Sequence, residues 1–488
     1  MKRKDVVVFA CCCCVALLLK MYFFTHFNMI SKDDYGGYIP LAANLLSHHS
    51  LTLDGKTPHT VFPPGYPFLL AIERSLMGGF ERVFFFNYVI VTTLTSLVIL
   101  LFFIRQFPRE NVTVSIPMLF LYPYIITSNK ISSASSEYLY ALCVWGGVYY
   151  LYAYLFERQK NVYLFAAGFL LSYSYLMRPE ALLVVAAVPF IVLWRFKRQA
   201  ITGGAVFAYL APVVVIVGWY VYFLYSNLGE FVLSGKQVLA NAYIVAHKID
   251  RVALCKSNVL GVLKIFIAPN VINPIILICG AFFVALLVKG SFAGEERRKL
   301  LLLLVFPALI MALLIPYKPI ERALYAFIPM LLVVCVVSIN RIMERFRINP
   351  AVAAFCIALF FVASVFAPSV RANFYNDPFL YKEAGRFILE TYGEARTILA
   401  RDPRLTYYAG GSVIPFDHAV DSDEPPDLLV VSNLTHSSLV PIGEAEAEAF
   451  MNPVCDYKGH MYRRARDFGN RGYFVKIFTR DDWRDKIQ

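Results

Sequence analysis

The chain has 488 residues, 58% of them hydrophobic and 16% charged, with a mean hydropathy of +0.58. Soluble globular proteins are about a quarter charged, so this composition excludes one and points to a polytopic membrane protein. The formal net charge is +12, but the basic residues sit in short loops between apolar runs, which assigns them to membrane orientation and anionic headgroups and leaves no nucleic-acid partner.

The N-terminus, MKRKDVVVFA, looks like the start of a signal peptide. The apolar run behind it is too long for a usual signal core and has no small-x-small cleavage site, so it reads as a retained first helix. The run Cys11–Cys14 inside it reads as small buried hydrophobes, since none of the ten cysteines has metal-site spacing. Lys20, near the outer third of this span, is expected to snorkel to the headgroups. About eleven apolar spans follow one another, at residues 6–27, 83–104, 112–127, 137–156, 161–177, 181–194, 200–224, 266–288, 300–316, 323–339 and 350–367. Basic residues mark every second loop, including Arg105 and Arg109, Arg158 and Lys160, Lys289 to Lys299, and Arg341 to Arg347. That pattern puts the N-terminus in the cytoplasm and, with an odd number of spans, the C-terminus outside.

The segments left on the outer side are longer. The first, residues 28–82, carries Asp33 and Asp34, the helix-like YIPLAANLLSHH and the proline-rich FPPGYP, which cannot be regular helix. Another runs over about 225–265, and two short ones end at Glu137 and surround Arg322. Long ordered loops are usually functional. Composition changes near Ala367: residues 368–488 alternate helix and strand signals in YKEAGRFILETYG, RTILAR, DLLVVS, EAEAEAFM and MYRRARDFGNRGYFVKIFTR. This predicts a small α/β domain on the outer face. It has no glycine-rich phosphate loop. Only Cys255 and Cys455 fall in long outer segments, which leaves them as the one pair open to a disulfide.

Four groups of residues can carry chemistry. Asp33 and Asp34 either cap the helix that follows or stand as carboxylates at the mouth of a bilayer cavity, placed to deprotonate an acceptor hydroxyl or amine. FPPGYP, with Tyr66, is a stiff re-entry into the next helix or a rigid cavity wall. Glu137, Arg178 with Glu180, and Lys318 with Glu321 and Arg322 stand at outer span ends, where charge is costly and tends to be paired or functional. They are local ion pairs, or Arg178, Lys318 and Arg322 converge on a phosphate, which at this depth belongs to a lipid. The eight histidines show no ligand spacing.

With DYGGYIPLA, PPGYP, the Glu137 helix start, MRPE and ERALYAFIP in this order, the chain resembles the bacterial membrane glycosyltransferases of the C-type (GT-C) superfamily, nearest the protein O-mannosyltransferases and the lipid A aminoarabinose transferases. The resemblance covers most of the chain and rests on order and topology rather than on one motif. It implies a polytopic α-helical fold of about eleven transmembrane helices with a small extracytoplasmic α/β domain: residues 1–367 catalytic, with the long outer loop 28–82, and residues 368–488 outside. It also implies a polyprenyl-phosphate-linked sugar donor and attack on C1 with inversion. By the register Asp34–Tyr38–Ala42, Asp34 aligns with the family's catalytic base. The second acid of the family falls on Tyr35, so Asp33 stands as the alternative. Arg178 and Arg322 take the donor phosphate, with Lys318, Glu137, Tyr38 and Tyr66 as further substrate-binding positions. The resemblance fixes no cofactor. A divalent metal is left open, because some relatives use one while no extra acidic cluster here demands it. The acceptor is a glycan, lipid or protein, the other partners are membrane lipids, and the location is the bacterial inner membrane.

A polysaccharide polymerase or ligase would place its large loop between late spans, whereas here the first outer loop and the C-terminus are large. A non-enzymatic transporter of lipid-linked glycans predicts mid-span charges and repeated halves, and neither stands out in the sequence.

Overall fold

A computed structural model gives the fold. The structure describes residues 3–27, 37–53, 57–121, 135–195, 203–246, 248, 250–267, 274–292, 294–315, 324–361, 379–393, 397–400, 404–409, 412–414, 425–432, 452–457, 459–470 and 473–484. Two compact units emerge: one is built mainly from Tyr38–Ala367 with the N-terminal helix, the other mainly from Pro368–Gln488.

The first unit is helical. Its elements are α1 (Arg3–Phe27), α2 (Ile39–His48), α3 (Gly65–Met77), α4 (Phe80–Gln106, with a π-helical stretch at Phe86–Val91), α5 (Val112–Ile116) and α6 (Glu137–Phe156). Then come α7 (Asn161–Met177), α8 (Leu182–Arg195), α9 (Gly203–Leu228), α10 (Gly235–Ala246), α11 (Arg251–Ile267), α12 (Pro274–Val288), α13 (Gly294–Leu314), α14 (Ile328–Phe346) and α15 (Pro350–Phe361). Helix α7 packs between α6 and α9. Gly168 lets α9 approach closely, because a Cβ there would lie 2.7 Å from the Tyr209 carbonyl oxygen. On α9, Phe207, Val214, Val215 and Tyr222 are exposed, as lipid-facing side chains are.

The protein is a mostly helical, polytopic membrane protein. Among the described residues four helices are long and apolar enough to cross a bilayer, at Asp5–Tyr22, Phe80–Gln106, Glu137–Phe156 and Gly203–Leu228. This corrects the count of about eleven full spans, since a crossing needs about 20 apolar residues. Helix α7 has 17 residues and α8 has 14. Within the 112–127 run the described residues, 112–121, form the five-residue α5 and a π-helical turn, Pro117–Leu121. Helix α13 opens on five consecutive charged residues, Glu295 to Lys299. FPPGYP is partly helical, against the expectation that it cannot be regular helix, and it re-enters the next helix: α3 starts at Gly65 with Pro67 in its first turn, where proline loses no needed hydrogen bond. Tyr38, before α2, is itself helical and makes no side-chain cap bond, and the capping reading of Asp33 and Asp34 lies outside the described residues. All ten cysteines are free: Cys255 lies on α11 and Cys455 is buried on a strand of the other unit.

One end of this unit gathers the charges of the basic loops. Arg105 pairs with Glu157, and Gln106 donates to Glu157 at 2.6 Å. Lys299 Nζ donates to the Gln106 carbonyl at 3.2 Å. Arg341 meets Glu110 at 3.2 Å, Glu296 at 3.0 Å and Glu344 at 3.5 Å. Thr113 donates to Asp5 at 2.6 Å, which brings the start of α1 to the same end.

The second unit is a mixed sheet of β1 (Thr397–Ala400), β2 (Ser412–Ile414), β3 (Leu428–Ser432), β4 (Val454–Tyr457), β5 (His460–Asn470) and β6 (Tyr473–Arg480), ordered β2-β1-β3-β6-β5-β4. The strand β1 is parallel to β2 and β3, and the remaining pairs are antiparallel. Helices α16 (Phe379–Tyr392) and α17 (Arg404–Ala409) supply Leu380, Ala384, Ile388 and Leu405 to a core with Leu428, Val430, Val475 and Ile477. Leu428 and Val430 stand two apart, the period of one strand face. The predicted strands in DLLVVS and MYRRARDFGNRGYFVKIFTR form, while EAEAEAFM lies outside the described residues.

Candidate active site

Glu137 opens α6, and Arg178 follows the last residue of α7 in extended conformation. The antiparallel packing of these two helices brings the start of one beside the end of the other. Arg178 donates to Glu137 at 2.5 Å through one terminal nitrogen and to Glu180 at 3.3 Å through the other. Arg178 and Glu137 are only 7% and 5% exposed. Ser135 and Ser136 also donate to Glu137. Arg178 thus ties two carboxylates, and both the local pair with Glu180 and a longer-range partner are present.

Burial works against the charge of Glu180, but Arg178 and Lys236 outweigh it and hold its carboxyl below the ordinary value. Burial likewise opposes the charge of Arg178, and Glu180 and Glu137 reverse that effect and push it above its usual value. Lys236, one residue into α10, sits 5.5 Å from the ring centre of Phe62. Its position is fixed by packing. A Cβ at Gly235 would fall 1.9 Å from the Thr60 carbonyl oxygen, and Tyr175 donates to the Leu233 carbonyl.

Aromatic side chains line this end. Tyr38 packs edge-on against Tyr66 at 5.1 Å and against Phe62 at 5.0 Å, with both tyrosines buried. The guanidinium of Arg178 lies 5.8 Å from the Tyr140 ring. Tyr173 donates to the Gly65 carbonyl at 3.0 Å, and Gly65 leaves no room for a Cβ against Leu176. The proline-rich turn is therefore pinned onto the end of α7. Several buried polar atoms here have no hydrogen-bond partner among the described residues: Arg178 Nε, Glu180 Oε2, and the hydroxyls of Tyr140, Tyr220 and Ser234.

The structure thus brings together Glu137, Arg178, Tyr38 and Tyr66. Asp33, Asp34, Lys318 and Arg322 lie outside the described residues. Sequence reasoning passed over Lys236, whose only signal was a charge beside a glycine in a long outer segment. It also misread Lys20, which is fully buried rather than snorkelling, with its ammonium 3.8 Å from the Tyr88 ring and 5.5 Å from that of Tyr138. The neighbour of Tyr88, Asn87, donates to Glu73 at 2.8 Å. Burial, only partly offset by that bond, pushes the Glu73 carboxyl up to about 7. Among the described residues no three His, Cys, Asp or Glu side chains gather to hold a metal.

An apolar groove of about 510 Å³ runs along α8 against α13, lined by Leu183, Ala187, Phe190, Trp194, Leu301 and Val305. It begins at Leu183, three residues past Glu180, and follows α8 for about 16 Å, at 1.5 Å per residue.

No family model and no curated protein sequence matches the chain. Solved structures do. ArnT from Cupriavidus metallidurans bound to undecaprenyl phosphate is similar over 98% of this chain and 98% of that one, at 11% identity and a TM-score of 0.57. The apo state of the same protein is similar over 97% of each chain, at 11% identity and a TM-score of 0.58. The oligosaccharyltransferase AglB from Archaeoglobus fulgidus, in complex with an inhibitory peptide and a dolichol-phosphate, is similar over 85% of this chain and 64% of that one, at 11% identity and a TM-score of 0.50. What these likenesses establish is the architecture alone: this chain shares its fold with these proteins.

Proposed function

We propose that this protein is a membrane glycosyltransferase that takes a sugar from a polyprenyl-phosphate-linked donor and passes it, with inversion, to an acceptor at the outer face of the membrane. The observation that carries this reading is the end-to-end likeness to ArnT crystallised with undecaprenyl phosphate. The buried polar cluster at the Glu137 end and the apolar groove leading away from it support it.

In this mechanism Asp34, or Asp33 beside it, takes the proton of the acceptor hydroxyl or amine as that atom bonds to C1 of the sugar. The bond from C1 to the phosphate oxygen breaks, and its electron pair leaves with the polyprenyl phosphate. Arg322 and Lys318 stabilise the charge that grows on the leaving phosphate. Arg178 holds Glu137 and Glu180 at fixed positions beside the sugar, leaving its Nε for the donor. Tyr38 and Tyr66 form the wall, and the groove along α8 takes part of the polyprenyl tail. Residues 1–367 form the catalytic part, with the outer loop 28–82 carrying the base, and residues 368–488 the extracytoplasmic domain. The N-terminus lies on the cytoplasmic side of a bacterial inner membrane. The acceptor class, whether glycan, lipid or protein, is set by what the outer face offers.

The test is transfer from defined polyprenyl-phosphate sugars by purified wild type, Asp34→Asn, Asp33→Asn and Arg322→Ala. Expected is turnover by wild type, with Asp34→Asn the most damaged of the two aspartate variants and Arg322→Ala also slowed. Wild type that binds such lipids yet turns none over would favour a transporter.

A further inference from the structure

Helix α13 forms one wall of the apolar groove through Leu301 and Val305. Among the described residues its first two turns are held by polar contacts to other elements at two points. At one, Lys299 Nζ donates to the Gln106 carbonyl and Tyr152 donates to the Lys299 carbonyl at 2.8 Å. At the other, Glu296 meets Arg341 of α14 at 3.0 Å. Lys299 and Arg195 both stand over the Phe156 ring, 5.2 Å and 5.6 Å from its centre. The start of α13 therefore lies beside the end of α8, where Trp194 lines the groove.

Arg341 does not serve Glu296 alone. The terminal nitrogen that meets Glu296 also meets Glu110 at 3.2 Å, and the other terminal nitrogen meets Glu344 at 3.5 Å. Glu344 is exposed and competes weakly, whereas Glu110 is buried in the turn between α4 and α5. The charged groups that face Glu110 are Arg341 and Glu344 on α14 and Glu296 on α13. On α1, Asp5 is taken up by Thr113, and on α6, Glu157 is taken up by Arg105 and Gln106. Asn340 beside Glu110 suits either of its forms. The amide N–H donates to the carboxylate, and the amide oxygen, buried with no partner among the described residues, can accept from the acid. Once ionised, Glu110 competes for the shared Arg341 nitrogen and repels Glu296 across it. Burial keeps Glu110 protonated up to about 7, so this change falls near neutral pH.

We propose that Arg341 is a pH-sensitive clasp on the groove: as pH rises and Glu110 ionises, Arg341 turns from Glu296 to Glu110, the first turn of α13 loosens, and the groove opens to lipid chains at its Trp194 end. At lower pH Glu110 keeps its proton, Arg341 stays on Glu296, and α13 stays tied to α14.

The experiment uses the full-length protein in vesicles of phosphatidylcholine with brominated acyl chains, at about pH 6 and about pH 8. Hydrogen exchange over residues 294–302, corrected for the intrinsic pH dependence of exchange, reports the tie. Bromine quenching of Trp194 fluorescence, taken as the difference between wild type and Trp194→Phe, reports the groove. In wild type, protection of the start of α13 is expected to be about tenfold lower at the higher pH, with the start of α6 unchanged and Trp194 more strongly quenched. Glu110→Gln, fixed in the neutral form, is expected to keep α13 protected and quenching low at both pH values. Glu296→Gln removes the tie and is expected to show the loosened state at both, a second check should the Glu110 variant fail to fold. Equal protection of α13 at the two pH values in wild type would overturn the clasp. So would a wild-type drop in folded Glu110→Gln or Glu296→Gln, a drop shared by the start of α6, or a loosened α13 with unchanged Trp194 quenching.

Discussion

Helix α6 begins at Glu137 and ends at Phe156, so two polar layers stand about 30 Å apart at its two ends. Each layer buries a carboxylate against an arginine, yet the two carboxylates behave oppositely. Glu180 stays below its ordinary pKa, while burial pushes Glu110 up to about 7, with Arg341 only partly opposing it. The difference lies in how many cations serve how many acids. Glu180 and Glu137 share Arg178, and Lys236 adds a second positive charge. Glu110 shares Arg341 with both Glu296 and Glu344. Burial is common to both layers, so the local charge ratio decides which carboxylate remains ionised. The layers also differ in setting. Tyr38, Tyr66, Phe62 and Tyr140 surround the first, whereas the Arg105–Glu157 pair of the second reaches water, with Arg105 41% exposed.

The largest expected break is Arg178→Ala. It leaves two buried carboxylates without their shared partner and should cost about 3–5 kcal/mol, read as a large drop in Tm. Combining Arg178→Met with Glu137→Gln should recover part of that loss, because the charges go together. Next is the pH response of the opposite layer. Glu110 in the folded protein titrates near 7 against 4.5 for the free group, so the folded state holds its proton longer. Its share of stability is present at low pH and is lost as pH rises from about 4.5 to about 7. Glu110→Gln should therefore shrink the stability difference between about pH 5 and about pH 8 by about 1–3 kcal/mol in denaturation measured at both pH values. A variant with the wild-type slope would refute this. Lys236→Gln sharpens the comparison from the other side. It gives Glu180 the one-cation surroundings of Glu110, so the Glu180 pKa should rise and stability near neutral pH should fall by about 1–2 kcal/mol. The smallest effect belongs to Arg105→Ala, whose partly exposed ion pair should change stability by less than about 1 kcal/mol.

Much of the second unit was legible because strand periodicity is local. Leu428 and Val430 on one face, and the paired runs around Arg464 and Ile477, announce themselves in a few residues. The count of crossings was not, because an apolar run does not reveal where a helix starts and stops: α7 holds 17 residues and α8 only 14. At the candidate site, the charges at span ends were visible but their partners were not. Glu137 and Arg178 are 41 residues apart and meet only because α6 and α7 pack antiparallel. Lys20 shows the same limit. Sequence gives its depth, but the rings of Tyr88 and Tyr138 that bury it come from two other helices.

The central claim is tested most directly by release of polyprenyl phosphate from a polyprenyl-phosphate sugar, comparing wild type with a folded Asp33→Asn/Asp34→Asn double variant. Loss of a general base predicts a drop of about 10²- to 10⁴-fold in the double variant. Full turnover by the folded double variant would contradict catalysis by this loop.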